Sequence, residues 1–495
     1  RHMAESGDWV FPVWNGEPRF DKPPLIYWIS AAAMRLLGPS ELAARVGAYA
    51  FAVLCAGLVY AFGRTLYSHR AGMIGALALA STLGWFVGGR IGLMDTGLSF
   101  FVGLSTFLLV APVRRRGDGG RPGPREDDRP AWVYACAGVS LALGVLTKGP
   151  VAVILFGGAA LAYLGPAALV RHALGLRGLS AAAAFLAAAL PWHLAVYARA
   201  GRAWWDDYFG YHMFSRFTQP LEDHGFGWYF YLIVLAIGFL PWTGYLVAAA
   251  WSALKGEGPK ASSPGGDRLL WGWSAFVLIF FSISRTKLPG YILPAFLPLA
   301  VLTGAWCDRR LSGPGAGKAF GAGLWASLAA GVLTAAGLAA LRPLAPVGYE
   351  EAYRLLFLFP GALVAGMLVT LAAYYLSREP KSLLYGFAGT AFAGMLLFSS
   401  LLMPLVEEFK PVRPLSQAAL SYLQPGTVVV SAMGDASASF YMHRKVIYAR
   451  GLAELREALA SAPDALALVP RAMLAELPGA IVLAEHGPGA LIRLE

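Results

Sequence analysis

Residues 41–66, ELAARVGAYAFAVLCAGLVYAFGRTL, decide the class of fold. The run is apolar along most of its length, and about twenty apolar residues in a helix are enough to cross a bilayer. Working outward from it, similar runs recur near 71–89, 95–111, 131–146, 149–166, 179–199, 227–250, 270–283, 288–306, 318–340, 352–374 and 382–403, so twelve candidate spans are expected. The 495 residues are 57% hydrophobic and only 14% charged, too little charge to clothe a soluble protein of this size. In lipid each segment must satisfy its own backbone polar groups, which makes the spans helical. The expectation is an all-α polytopic membrane protein. The opening RHMAESGD reads as the tail of a helix that begins upstream, which would add one more span.

The net charge is +11, but the bases fall mostly in short loops between apolar runs. Arg64 and Arg70, Arg114 to Arg129, Arg171 and Arg177, Lys255 to Arg268, Arg309 to Lys318, and Arg378 with Lys381 occupy alternate loops. The positive-inside rule makes that side cytoplasmic. The loop 114–130, RRRGDGGRPGPREDDRP, is rich in Gly, Pro and charges of both signs and is expected to be mobile. No zinc-finger spacing or long basic stripe points to nucleic acid, which is not expected as a partner. Cys55, Cys136 and Cys307 lie in or at the end of apolar runs and read as packing residues.

The opposite loops carry acids, histidines and tryptophans and form the extracytoplasmic side. In NGEPRFDKPPLIYW, residues 15–28, Asp21 and Lys22 precede two prolines that stiffen the backbone and bar a helix from starting earlier. An interfacial helix is expected within 23–37, and Lys22 would present its ammonium to a phosphate at headgroup depth. Asp95 stands at the edge of a span, where a carboxylate is costly unless paired. In the loop 200–226, His212 and Arg216 are four residues apart, on one face of an expected interfacial helix within 203–217. Lys148 in LTKGP and Arg285 with Lys287 in SRTKLPGYILP are further bases at span ends. Such a cluster suits an anionic lipid head. Histidine and carboxylates on one side also make a divalent metal a candidate, with zinc or manganese on Asp21 and His212.

After residue 403 the pattern changes. TVVVSA and KVIYA are short β-rich runs, LAELREALA is an amphipathic helix, and ALALVP, AIVLAEHG and ALIRLE are further strand candidates. The domains expected are a membrane domain over 1–403 and a small extracytoplasmic α/β domain over 404–495.

The order of motifs resembles a known family. SGDWVFPVWNGEPRFDKPPLIYW, the turn from Arg90 to Asp95, TKGP at 147–150, HMFSRF at 212–217, WYFYLIVLAIGFLPW at 228–242 and SRTKLPGYILP at 284–294 are similar to segments of the bacterial aminoarabinose transferases and protein O-mannosyltransferases. These are membrane glycosyltransferases of the GT-C fold. The resemblance implies a polyprenyl-phosphate-sugar donor and transfer to a lipid, glycan or protein acceptor on the outer face of the bacterial plasma membrane. It also implies thirteen spans. Carried over by position, Asp21 matches an acidic residue, Lys22 the lysine near the lipid phosphate, and Asp95 the aspartate of the active cavity. His212 and Arg216 match the histidine and arginine of the long outer loop, and Tyr291 lies where an aromatic approaches the donor. The family's leading catalytic acid, in an Asp-Glu pair, is expected upstream of Arg1. The catalytic set is then Asp95, Lys22 and Asp21, and the donor phosphate falls to Lys22, Arg216, Arg285, Lys287, Lys148 and Tyr291. The protein is expected to act as a monomer. The competing readings are a secondary transporter, which would suit many spans with charges at their ends, and a catalytically inactive relative.

Overall fold

The two prolines of the opening loop act as their chemistry requires: Pro24 caps a helix that starts at the next residue, Leu25–Leu37. A computed structural model describes the chain over residues 1–111, 129–218, 226–311, 313, 316–342, 354–355, 357–435, 437–462 and 464–494. Most of the 114–130 loop, the acids and histidine at 222–224, and most of the segment 342–351 therefore lie outside the described residues. The rest is a polytopic helical membrane protein. Among the described residues eight helices are long and apolar enough to cross a membrane, or up to eleven if each bent pair is one span. The shorter apolar helix Met94–Val110 occupies the run expected at 95–111.

Two runs that read as single spans, 71–89 and 227–250, are bent pairs, and the span expected at 149–166 ends in a third bend. The first, His69–Ser81 with Leu83–Arg90, turns by 60°; the pairs Val151–Leu164 with Pro166–Leu174 and Phe230–Gly238 with Thr243–Leu254 turn by 116° and 117°. The break at 165–166 has a local cause: Gly165 adopts φ 76° and Pro166 opens the next helix. The interfacial helix expected within 203–217 is also more complex. Helix Leu176–Trp205 runs into it with a kink at Gly201 (φ 56°, ψ −134°), and Asp206–Ser215 continues as a π-helix.

Packing follows cluster by cluster, and the chain divides into two compact units: residues 1–12, 19–331 and 365–392, and residues 13–18, 332–364 and 393–495. In the first unit the central helix is Leu293–Leu311, buried at every position from Leu293 to Cys307. Close approach between helices rests on small residues. A Cβ on Gly63 would stand 2.5 Å from the Gly72 Cα, so neither position admits a side chain where Glu41–Leu66 meets His69–Ser81. At that end Arg70 and Ser68 both engage Asp308, and the Tyr67 hydroxyl donates to Asp267 at 2.5 Å.

The second unit holds a five-stranded sheet in the spatial order Ile447–Tyr448, Val429–Ser431, Leu466–Pro470, Gly489–Leu494, Ala480–His486. The first three strands are parallel and the last two antiparallel to their neighbours. All five coincide with the runs expected as strands. Alternation sends Val429, Leu466, Leu468 and Leu491 to one face with Val412 and Leu415, and Val430, Ala467, Val469 and Ile492 to the other with Leu455 and Leu459. The sheet is thus covered on both faces by helices. Its first strand meets the hairpin Val13–Trp14 and Glu17–Pro18, which turns through Asn15 (φ 56°) and Gly16 (φ 84°). Asn15 donates to the Val446 carbonyl at 2.8 Å and accepts from the Val446 amide at 2.7 Å, and Trp14 stacks on Tyr448 with centroids 5.5 Å apart.

Asn15→Ala removes both bonds and puts a Cβ-branched-free but left-handed-averse residue in the turn. It is expected to cost this unit about 1–3 kcal/mol, read as faster hydrogen exchange at the Val446 amide.

Candidate active site

Three chain segments bring charge to the site. In the opening loop the Arg19 amide donates to the Pro12 carbonyl at 2.7 Å, which turns the chain so that the Arg19 guanidinium faces Asp21. The pair is bidentate, at 2.7 and 2.9 Å. The Lys22 ammonium donates to the Asp21 carbonyl at 2.9 Å and lies 3.9 Å from its carboxylate. Burial acts to raise the Asp21 pKa, but the Arg19 hydrogen bonds and the charges of Lys22, Arg19 and His212 outweigh it and hold the carboxyl below its usual range. Arg19 went unremarked in the sequence reading; its place two residues before Asp21 was the available signal.

The second segment is the pairing of two helix ends. Asp95 is buried in the first turn of Met94–Val110, and Lys148 is the last residue of Ala131–Lys148. Their side chains form an ion pair. Each charge opposes the dipole of its own helix end, so both helices favour it. The Lys148 ammonium also lies 4.3 Å from the centre of the Tyr291 ring. Tyr291 sits in the turn Pro289–Ile292, where a Cβ on Gly290 would come 3.4 Å from the Asp95 carboxylate. Asp95, Lys148 and Tyr291, 196 positions apart at most by their numbering, are therefore one cluster.

The π-helix supplies the third segment. His212 Nε2 lies 3.6 Å from Asp207. Arg216 opens the short helix Arg216–Thr218, and its side chain lies outside the described residues. The Phe217 carbonyl accepts from the Arg285 amide at 3.0 Å, which joins HMFSRF to SRTKLP, while the Arg285 side chain is exposed. Lys287 turns inward: it is buried and donates to the Ser284 carbonyl at 2.5 Å. An aromatic and aliphatic floor runs beneath these elements. Leu146, Trp192, Val196, Trp204 and Tyr208 form it, with Phe20, Leu25, Trp28 and Met213 packed against it. It connects the segments that carry Lys22, Lys148 and His212.

A metal does not fit this arrangement well. Among the described residues no three His, Cys, Asp or Glu side chains gather to hold an ion. Zinc or manganese on Asp21 and His212 would have to compete with the Arg19 guanidinium for the carboxylate. No step is assigned to a metal.

Two measurements follow from this geometry. Gly149 adopts φ 88°, and a Cβ there would stand 2.6 Å from the Tyr208 hydroxyl. Gly149→Ala is expected to destabilise the fold by more than about 1 kcal/mol through backbone strain alone, seen as a lower midpoint of thermal unfolding in detergent. Asp21, with its folded pKa depressed, contributes stability above its ordinary pKa that is lost as pH falls through the folded value. Arg19→Gln leaves burial opposed by fewer partners, so the acid-side loss of thermal stability should begin at a higher pH.

Comparison with known proteins agrees with the fold. Residues 21–195 match the family described as dolichyl-phosphate-mannose-protein mannosyltransferase. The undecaprenyl phosphate-alpha-4-amino-4-deoxy-L-arabinose arabinosyl transferase of Pseudomonas aeruginosa (strain LESB58) is 32% identical over 358 residues, 71% of this chain. The chain spans 61% of the length of that relative. The namesake from Edwardsiella ictaluri is 28% identical over 438 residues, 87% of this chain and 76% of the relative. The crystal structure of ArnT from Cupriavidus metallidurans bound to undecaprenyl phosphate superposes with a TM-score of 0.76 at 21% identity, over 99% of this chain and 91% of that one. The chain is thus similar to the aminoarabinose transferases over most of its length, matches the mannosyltransferase family model at residues 21–195, and shares the fold of ArnT.

Proposed function

We propose that this protein transfers a sugar from a polyprenyl-phosphate-sugar donor to a lipid, glycan or protein acceptor on the extracytoplasmic face of the bacterial inner membrane. The observation that carries the proposal is the gathering of Asp95, Lys148 and Tyr291 at span ends, over a floor shared with the Asp21–Lys22 segment. The relatives' names point to undecaprenyl phosphate as the carrier and 4-amino-4-deoxy-L-arabinose as the sugar. A lipid A-like glycolipid is the acceptor we favour.

In the reaction an acceptor oxygen attacks the anomeric carbon, and the bond from that carbon to the phosphate oxygen breaks. The polyprenyl phosphate leaves with the electron pair and needs compensating charge. Lys22 is assigned that task because its backbone is stiffened by two prolines and its ammonium is held beside Asp21. Arg216 and Arg285 stand on adjoining segments and would bind the same phosphate, with Lys287 adding to the positive field. Lys148 holds Asp95 in an ion pair and lies on Tyr291, whose hydroxyl is assigned to the phosphate as well. An attacking hydroxyl gives its proton to a carboxylate, while a phosphate nucleophile needs no strong base. One direct displacement inverts the anomeric centre.

The test is the full chain in proteoliposomes with undecaprenyl-phosphate-linked aminoarabinose and lipid A, the product identified by mass spectrometry. Lys22→Gln should lower transfer at least tenfold, roughly 1.4 kcal/mol of transition-state stabilisation, with Lys22→Arg losing less. A folded protein that transfers from no polyprenyl-phosphate-sugar would refute the proposal.

A further inference from the structure

Tyr208 is wholly buried, and its hydroxyl has no hydrogen-bond partner among the described residues. A buried hydroxyl left unpaired costs about 1–3 kcal/mol. Phenylalanine would fill the same space without that cost. The ring is held firmly: it stacks on Trp204 at 5.4 Å and 12°, and Trp204 meets Trp192 edge-on at 6.1 Å. The indole nitrogen of Trp204 is likewise buried without a partner among the described residues. The segment is π-helical, a conformation found often where function demands it.

The place of the hydroxyl is informative. It lies over Gly149, the residue after Lys148, close enough that a Cβ there would stand 2.6 Å away. The Met213 methyl crowds the same point at 2.8 Å. Met213 is only half-buried, and its unbranched thioether rotates easily. A change of its rotamer would open the space over Gly149, beside the hydroxyl. On the other flank Phe20 and Leu25, which bracket Asp21 and Lys22, pack on the same floor. Tyr208 therefore belongs to the packing cluster that joins the segments of Lys22 and Lys148, with its hydroxyl over Gly149.

We infer that the Tyr208 hydroxyl donates a hydrogen bond to an oxygen in the polar head of the polyprenyl-phosphate-sugar donor. The inference rests on the proposed function and adds a neutral ligand to its cationic set. A neutral donor in apolar walls orients an oxygen without adding charge. Both a phosphate oxygen and a sugar hydroxyl present the acceptor it needs.

Tyr208→Phe in the full chain tests this, because packing is retained and no hydrogen bond among the described residues is broken. The thermal unfolding midpoint should stay level or rise, while kcat/KM for the donor falls at least about tenfold. Bare undecaprenyl phosphate as competitor separates the two sources. Weaker inhibition in the Phe variant assigns a phosphate oxygen; equal inhibition with impaired donor use assigns a sugar oxygen. Parental kinetics in Tyr208→Phe, beside an active parent, would overturn the inference and leave the transferase reading standing. A parent that transfers no sugar would take down both.

Discussion

The ion pair between Asp95 and Lys148 is the constraint around which the site is organised. Both side chains are largely withdrawn from water, at 8% and 12% exposure, so each charge is affordable only while the other is present. Removing one partner of such a pair typically costs 3–5 kcal/mol, because the remaining charge is left uncompensated. The pair also ties the N-terminus of one apolar helix to the C-terminus of another, and Tyr291 closes the third side from the loop before the central helix. Misplacing any of the three elements would strand a charge at the edge of hydrocarbon.

The opening loop solves a similar problem by different means. Asp21 is held by a neighbour in sequence, Arg19, and Lys22 spends one of its protons on the backbone carbonyl of Asp21. Arg19 and Lys22 share the Asp21 carboxylate, the first through a bidentate pair and the second at 3.9 Å. The two ion pairs thus differ in kind. One is rigid and joins helices; the other is local, with its cation directed by prolines.

The aromatic floor couples these parts mechanically. Trp28 and Trp192 donate to the carbonyls of Trp9 and Val10 at 2.7 and 3.0 Å, and Arg199 holds Asp8 through two contacts of 2.9 Å. The opening loop is therefore anchored to the long helix Leu176–Trp205 before it reaches Asp21. The same helix leads into the π-helical segment with Tyr208 and His212. A shift in that segment is felt at Gly149 and at the loop together, because close-packed aromatic side chains leave little free volume to absorb it.

Much of this protein was written in its hydropathy. Lipid offers no partner for a backbone amide, so each long apolar run had to be a helix, and the runs at 41–66 and 131–146 appear as Glu41–Leu66 and Ala131–Lys148. The strands of the second unit were equally legible, because they are short apolar runs bounded by turn residues. Asp21, Lys22, Asp95, Lys148 and His212 stood out as charges or imidazole at span ends. Their partners did not. Lys148 and Asp95 are separated by 53 positions, and no local rule pairs them. The bends at residues 82, 165 and 239–242 were hidden for a related reason: hydropathy measures a segment's preference for lipid and carries no direction. That Tyr208 is buried with its hydroxyl unpaired among the described residues, or that residues 13–18 pack on the strand at Ile447–Tyr448, depends on surfaces built by remote parts of the chain. The sequence by itself determined which segments enter the membrane and which residues carry charge; tertiary packing decided which charges meet, because an ion pair in a poorly polar medium depends on distances that only the assembled helices set.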